Sequence, residues 1–305
     1  MVYHEVRDVN GKKQNYLVFN KRENGKWAKK SKFIGTGVMK KEETLKLREE
    51  FEKELKIEKI KLIKKEQAEE IENLKQVYLD KITNLSGEEF ENFEKAFFTE
   101  LTYNSNAIEG NSLTLPETSL VINKNLTPKG KELREIYEAK NHAKALKFIK
   151  EHSGEINELF ILKLHSIILE NISEKFAGRY RENPVRVIGS DFKFPAPDKA
   201  PQLVKNLVYW YNQNKKEMHP FELAVLFSCK LVSIHPFVDG NGRVSRLIIN
   251  AILHKGKYPW INVYMKQRED YLKAIRKAND ENYTLILDYL IGALKENMKD
   301  FGFLD

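Results

Sequence analysis

The chain has 305 residues, 41% of them hydrophobic and 31% charged, which is enough apolar material for a substantial core and excludes a disordered or disulfide-scaffold class. No apolar run reaches membrane-spanning length and no basic-then-apolar leader follows Met1, so no membrane partner is expected and the expected location is the cytoplasm. Cys229 is the single cysteine; it excludes an internal disulfide, no zinc-type Cys/His cluster exists, and its apolar neighbours point to an inert buried thiol.

The net charge is +8, and residues 1–40 carry +7 of it. Within them, Tyr16–Gly37 alternates β-prone residues around Glu23-Asn24-Gly25, which predicts a basic β-hairpin. Lys21, Arg22, Lys26, Lys29, Lys30 and Lys32 interleave there with Trp27 and Phe33, a mixture suited to nucleic acid or an acidic protein surface, and equally to a solvated hairpin. Residues 41–85 form a charged connector. From Lys41 to Leu79 it has no proline or glycine, and the stripes Leu47, Phe51, Leu55 and Ile71, Leu74, Tyr78 predict an amphipathic helix or helical pair that packs on the core or mediates self-association into a homo-oligomer. Ser86-Gly87-Glu88-Glu89 restarts a helix and marks the expected boundary of a main domain over 86–305.

Further along, S-N-A-I-E-G at Ser105–Gly110 reads on its own as a helix C-terminus closed by Gly110. His165 sits in an apolar helix pattern and is expected in or near the core, while His219-Pro220 reads as a helix cap. Val185–Pro197 has two β-prone stretches around Gly189-Ser190-Asp191 and predicts a short hairpin.

The densest chemistry lies in I-H-P-F-V-D-G-N-G-R-V-S-R, Ile234–Arg246, between the apolar run Leu223–Ile234 and the helical pattern Leu247, Ile248, Ala251, Ile252. Gly240 and Gly242 let the backbone turn tightly, and the helix beginning near Arg243 adds its positive dipole end, so the loop predicts an anion cradle. Asp239 is a hard oxygen ligand suited to magnesium shared with substrate phosphates, and Arg243 and Arg246 lie on one helix face and can fork onto phosphate oxygens. His235 is the nearby group able to accept a proton near neutral pH. Together they predict transfer of a phosphate-containing group to a hydroxyl.

This stretch resembles the complete signature of the Fic (Fido) family, H-P-F-x-D-G-N-G-R-x-x-R, with no essential position departing from it. A-G-R-Y-R at Ala177–Arg181 and V-R-V-I-G at Val185–Gly189 resemble segments that precede the family's substrate-binding flap, and the likeness runs over roughly residues 90–295, a span typical of one domain. The resemblance implies a mainly α fold, a helical bundle with a β-hairpin flap, here preceded by the basic hairpin and the charged helix. It implies an adenylyltransferase using ATP and magnesium: His235 as general base, Asp239 as metal ligand, Gly240, Asn241 and Gly242 as anion hole, and Arg243 and Arg246 on the β- and γ-phosphates. Tyr271 and Asn279 fall where relatives contact the nucleotide, and Ile188, Gly189, Ser190 and Asp191 would form the flap that pairs with the backbone of a protein target.

The segment Ser105–Gly110 is similar to the family's inhibitory motif, which implies that Glu109 reaches Arg246 and blocks productive placement of ATP, with Ser105 and Gly110 framing it. The target would present a serine, threonine or tyrosine hydroxyl, the chain itself included. Removal of AMP, transfer of another nucleotide-linked group, and a nucleic-acid-binding regulator working through the basic hairpin all stay open at this point.

Overall fold

The computed structural model describes residues 2–23, 26–186 and 192–304, with the side chains of residues 21–23 and 26 left out. They divide into two compact units, Met1–Ile60 and Lys61–Asp305. The first unit is a three-stranded antiparallel sheet in the order β1 (Val2–Val9), β2 (Lys12–Glu23), β3 (Lys26–Thr36), covered by helix α1 (Lys41–Ile57). Val2, Leu17, Phe51 and Leu55 form its core, with Phe19, Ile34 and Leu47 against them. The strands of the expected hairpin, β2 and β3, are therefore two of the three in the sheet. Asn10 and Gly11, both with positive φ, make the preceding turn, and that Asn-Gly pair was the readable signal for β1. The register pairs Glu23 with Lys26, and the expected turn at Asn24-Gly25 lies outside the described residues.

The second unit is helical: α2 (Lys65–Asn84), α3 (Gly87–Ala107), α4 (Leu115–Lys124), α5 (Leu133–Glu151), α6 (Glu158–Ile168), α7 (Ala200–Asn214), α8 (Pro220–Ile234), α9 (Asn241–Lys255), α10 (Arg268–Asn279) and α11 (Thr284–Asp300). The charged connector carries a helical pair, with α1 in the first unit and α2 in the second. No proline or glycine breaks the helix at Glu58–Lys64. Instead the amides of Lys61, Leu62 and Ile63 all donate to the fully buried carboxylate of Glu222 at 2.6–3.1 Å, so they are unavailable to a helix.

Helix α8 is apolar nearly all round and buried accordingly, and α9 is buried beside it with Asn241, Arg243, Ser245, Arg246 and Asn250 among its buried residues; α3, α5, α6, α7, α10 and α11 pack about the pair. His219 caps α8 by accepting from the Phe221 amide, the structural role expected of it. Cys229 is buried, which pushes its thiol up to about 12 and makes it inert. Among the described residues no helix is long and apolar enough to cross a membrane.

The flap residues Ile188–Asp191 lie outside the described residues. Residues 185–186 and 192–196, which fall in the expected hairpin Val185–Pro197, are not in regular strand. Pro184 and Pro195 lack amide donors, and the carbonyls of Asn183 and Pro195 are taken by Arg181 instead of a strand partner.

Candidate active site

The α8–α9 hairpin turns through residues 235–240. His235 closes α8 in the left-handed conformation (φ 49°, ψ 59°), a strained choice for a side chain with a Cβ that aims the imidazole out of the helix end. Asn241 holds the turn from the other side: its side chain accepts from the Phe237 amide (3.0 Å) and donates to the Phe237 carbonyl (2.9 Å). Gly240 has φ 80°, and a Cβ there would press on Ile168 and His165.

No side chain caps the N-terminus of α9, so the first-turn amides of Asn241, Gly242 and Arg243 keep their positive end for an anion. Arg243 is 2% exposed and shares Glu138 (3.2 Å) and Asp239 (3.2 Å). Its Nε and Nη1 nevertheless find no acceptor of hydrogen-bonding geometry among the described residues. Buried guanidinium donors left short of acceptors in this way fit a phosphate group arriving from outside.

Asp239 accepts from the Gly240 amide (2.5 Å), Arg243 and Arg134 (2.6 Å). Burial works against its charge, but Arg243, the Gly240 amide and Arg134 outweigh burial and hold the carboxyl below its ordinary range. Among the described residues no group of three or more His, Cys, Asp or Glu side chains is placed to hold a metal ion by itself. One partly exposed carboxylate beside an anion cradle fits magnesium bound jointly with phosphate, and does not fit an all-protein cage.

Arg246 lies one turn along α9. It donates to the Ser105 hydroxyl (3.1 Å), the Ser105 carbonyl (2.8 Å) and Glu109 Oε1 (2.8 Å), with the Tyr271 ring 5.9 Å away. Burial opposes its charge, yet Glu109 and Tyr271 together raise its pKa. Glu109 also reaches into the cradle itself, since a Cβ built on Gly242 would fall 2.2 Å from its Oε1. Asn279 is nearby through α8, accepting from Ser233 at 2.8 Å, and Gly110 ends the α3 segment with φ 101°.

Burial pulls the His235 imidazole down to about 4; Arg181 pushes the same way, while the Val232 carbonyl, Glu109 and Asp239 oppose it. At neutral pH it is an uncharged acceptor. His165, expected as a core residue, is fully buried and also supports the loop: its Nδ1 accepts from the Gly178 amide (3.0 Å), so Nε2 donates to the Asp239 carbonyl (3.0 Å), and its ring stacks on Phe237 at 3.7 Å. Burial lowers it to about 4. Sequence reasoning missed the roles of Arg134, Glu138 and Arg181. For the first two the readable trace was only an i,i+4 pair on α5, a pattern common to solvated helices.

Residues 155–253 match the family model described as the Fic/DOC family. Over 191 residues the chain is 36% identical to the protein adenylyltransferase Fic of Nematostella vectensis and 35% identical to that of Drosophila virilis, alignments that cover 61% of this chain but 44% and 39% of those proteins. The chain therefore spans less than half the length of the curated relatives it matches. Among solved structures it is similar to a Fic domain containing signaling protein from Bacteroides thetaiotaomicron, with 29% identity, TM-score 0.68, and coverage of 75% of this chain and 95% of that one. It is also similar to Fic-1 from C. elegans, with 25% identity, TM-score 0.69 and coverage of 86% and 77%. The stretch 155–253, which carries the α8–α9 turn, is therefore a Fic domain, and the helical body around it has the Fic fold.

Proposed function

We propose that this chain is a protein adenylyltransferase that moves AMP from ATP to a protein hydroxyl and is restrained by Glu109. The observation that carries the reading is Arg243, a buried cation with unfilled donors at an uncapped helix N-terminus, one turn from a second arginine and at the end of a hairpin whose other end holds a neutral histidine. Nδ1 of His235 is sealed inside, so Nε2 is the accepting atom. It takes the proton of the target hydroxyl; the oxygen attacks the α-phosphorus of ATP, and the bond to the bridging oxygen breaks to release pyrophosphate. The α9 amides at Gly242 and Arg243 stabilise the oxygens as charge develops, and Arg243 and Arg246 hold the β- and γ-phosphates. Asp239, which Arg134 shares at 2.6 Å, would hold magnesium, and the ion would supply neutralising charge to the phosphate oxygens. Tyr271 and Asn279 line the nucleotide side.

Restraint follows from competition. Glu109 takes the donors of Arg246 and the space above Gly242 that the terminal phosphate needs, so ATP enters only in a shifted pose until α3 releases it. The test is incorporation of label from α-labelled ATP into the chain itself and into a lysate. Glu109→Gly is expected to raise incorporation by at least about tenfold, the worth of one charge-assisted pair, and Glu109→Gly with His235→Ala to abolish it. Equal rates in wild type and Glu109→Gly would remove the inhibitory role. Absence of label throughout would favour AMP removal or another nucleotide donor.

The N-terminal sheet is the weaker partner surface. Lys29 pairs with Glu5, Lys30 with Glu58 and Lys32 with Glu54, which removes three of the cations available to nucleic acid, while Trp27 and Phe33 remain exposed. Salt-dependent DNA or RNA binding that survives His235→Ala and disappears without residues 1–40 would establish it as a second function.

A further inference from the structure

Arg181 follows α6 by a dozen residues and is 2% exposed. Its guanidinium meets no carboxylate among the described residues. Nε donates to the His235 carbonyl (2.7 Å), Nη1 to the Asn183 carbonyl (3.1 Å) and Nη2 to the Pro195 carbonyl (2.5 Å). Its own amide donates to the Pro236 carbonyl at 2.9 Å. One planar fork therefore joins three pieces of main chain: the peptide that carries the candidate base, and the two limbs that flank residues 187–191.

Burying a cation among carbonyls costs desolvation, and a chain crossing that needed only closure would be met by neutral donors. What the guanidinium adds is a rigid set of donors at fixed angles, which an ammonium or an amide does not reproduce. The position it fixes is one that needs fixing. His235 is in the left-handed region without being glycine, and Arg181 restrains the carbonyls of both residues at the turn, 235 and 236. From the limb side, Phe194 lies with its ring 4.2 Å from the imidazole, so the register of the limb and the direction of the ring are set together.

We propose that Arg181 is a positioning residue that sets the His235 imidazole in register with the limbs at 183–186 and 192–196, and hence with a hydroxyl carried by a target docked on that segment. This rests on the adenylyl-transfer reading above. A target oxygen must lie near 3 Å from both the base and the phosphorus, and an error of about 1 Å costs on the order of 100-fold in rate.

The experiment uses the full chain in the Glu109→Gly background, with Arg181→Gln and Arg181→Lys compared to the parent. Self-incorporation of label from α-labelled ATP is expected to fall about 100-fold in Arg181→Gln and less in Arg181→Lys, with affinity for a fluorescent ATP analogue and the thermal midpoint close to the parent's. Parent-like labelling in Arg181→Gln would overturn the proposal, as would a loss of nucleotide affinity and thermal midpoint in step with the rate, the mark of a merely structural residue. Hydrogen exchange supplies a readout independent of activity: residues 182–186 and 192–196 are expected to exchange faster in Arg181→Gln while α8 and α9 stay protected. Unchanged exchange in the limbs overturns it. If the Glu109→Gly parent itself takes up no label, the adenylyl-transfer reading fails, whereas the exchange comparison still decides whether Arg181 ties the limbs to the base.

Discussion

His235 needs a low proton affinity to accept a proton at neutral pH without carrying one already, and its surroundings supply that. Burial does most of it, and Arg181 adds to it. The sign of the consequence is fixed: the neutral form is the active one, so the rate rises with pH through the histidine pKa, and a depressed pKa moves the acid limb to lower pH. The kcat/KM profile of Glu109→Gly is expected to lose activity near pH 4, not near the ordinary 6.5, and a limb at 6.5 would show that the imidazole is solvated. Circular dichroism must accompany it, because His142 and His165 are also held neutral by burial, at about 3 and about 4. The unfolded chain binds those protons first, so stability is full above about pH 6.5 and is lost as pH falls toward 4. The cluster at 235–246 was legible in the sequence because its members are neighbours along the chain, and their types and spacing state the chemistry without a fold. Arg181, Arg134 and Glu138 were not, because each meets its partner across fifty to more than a hundred residues.

Among the elements, the last turn of α3 and the segment just after it carry the proposed restraint, and they are held from several sides. Asn104 accepts from the Met265 amide, Arg268 donates to the Ile108 carbonyl at 2.9 Å, and Asn111 bonds Glu138 at 2.9 Å. Releasing the helix end means breaking some of these. Arg268→Ala removes one charge-assisted bond and is expected to raise labelling in the chain with Glu109 intact by up to about tenfold, with faster hydrogen exchange at 104–111. No change in either would place the latch elsewhere. The sequence showed helices wherever an apolar stripe ran uninterrupted. It did not show the gap between α1 and α2, since no breaker residue stands there and the cause is a carboxylate on α8. It also held an unread Asn-Gly turn at 10–11, whose strand then completed the sheet.

At the scale of the whole molecule, the division at Ile60 and Lys61 makes a sharp forecast. A chain beginning at Ile60 keeps the three amides that satisfy Glu222 and is expected to unfold in one cooperative urea transition. A chain beginning at Lys65 leaves that carboxylate buried without them and is expected to lose about 3–5 kcal/mol, the usual cost of an abandoned buried charge. Equal midpoints for the two would mean that water replaces the amides. A different whole-molecule property follows from the way Glu109 closes the site. Arg134, Arg243 and Arg246 face Asp239, Glu138 and Glu109, so these six charges cancel and, among the described residues, Arg181 beside His235 is left as the one uncompensated cation of the group, which keeps the long-range pull on a polyanion weak. Removing Glu109 leaves Arg246 uncompensated as well, and the pull of the cleft on a polyanion grows. The encounter rate with ATP is therefore expected to fall less steeply with added salt in the wild-type chain than in Glu109→Gly, so that the same carboxylate that occupies the cleft also dims it to passing nucleotide.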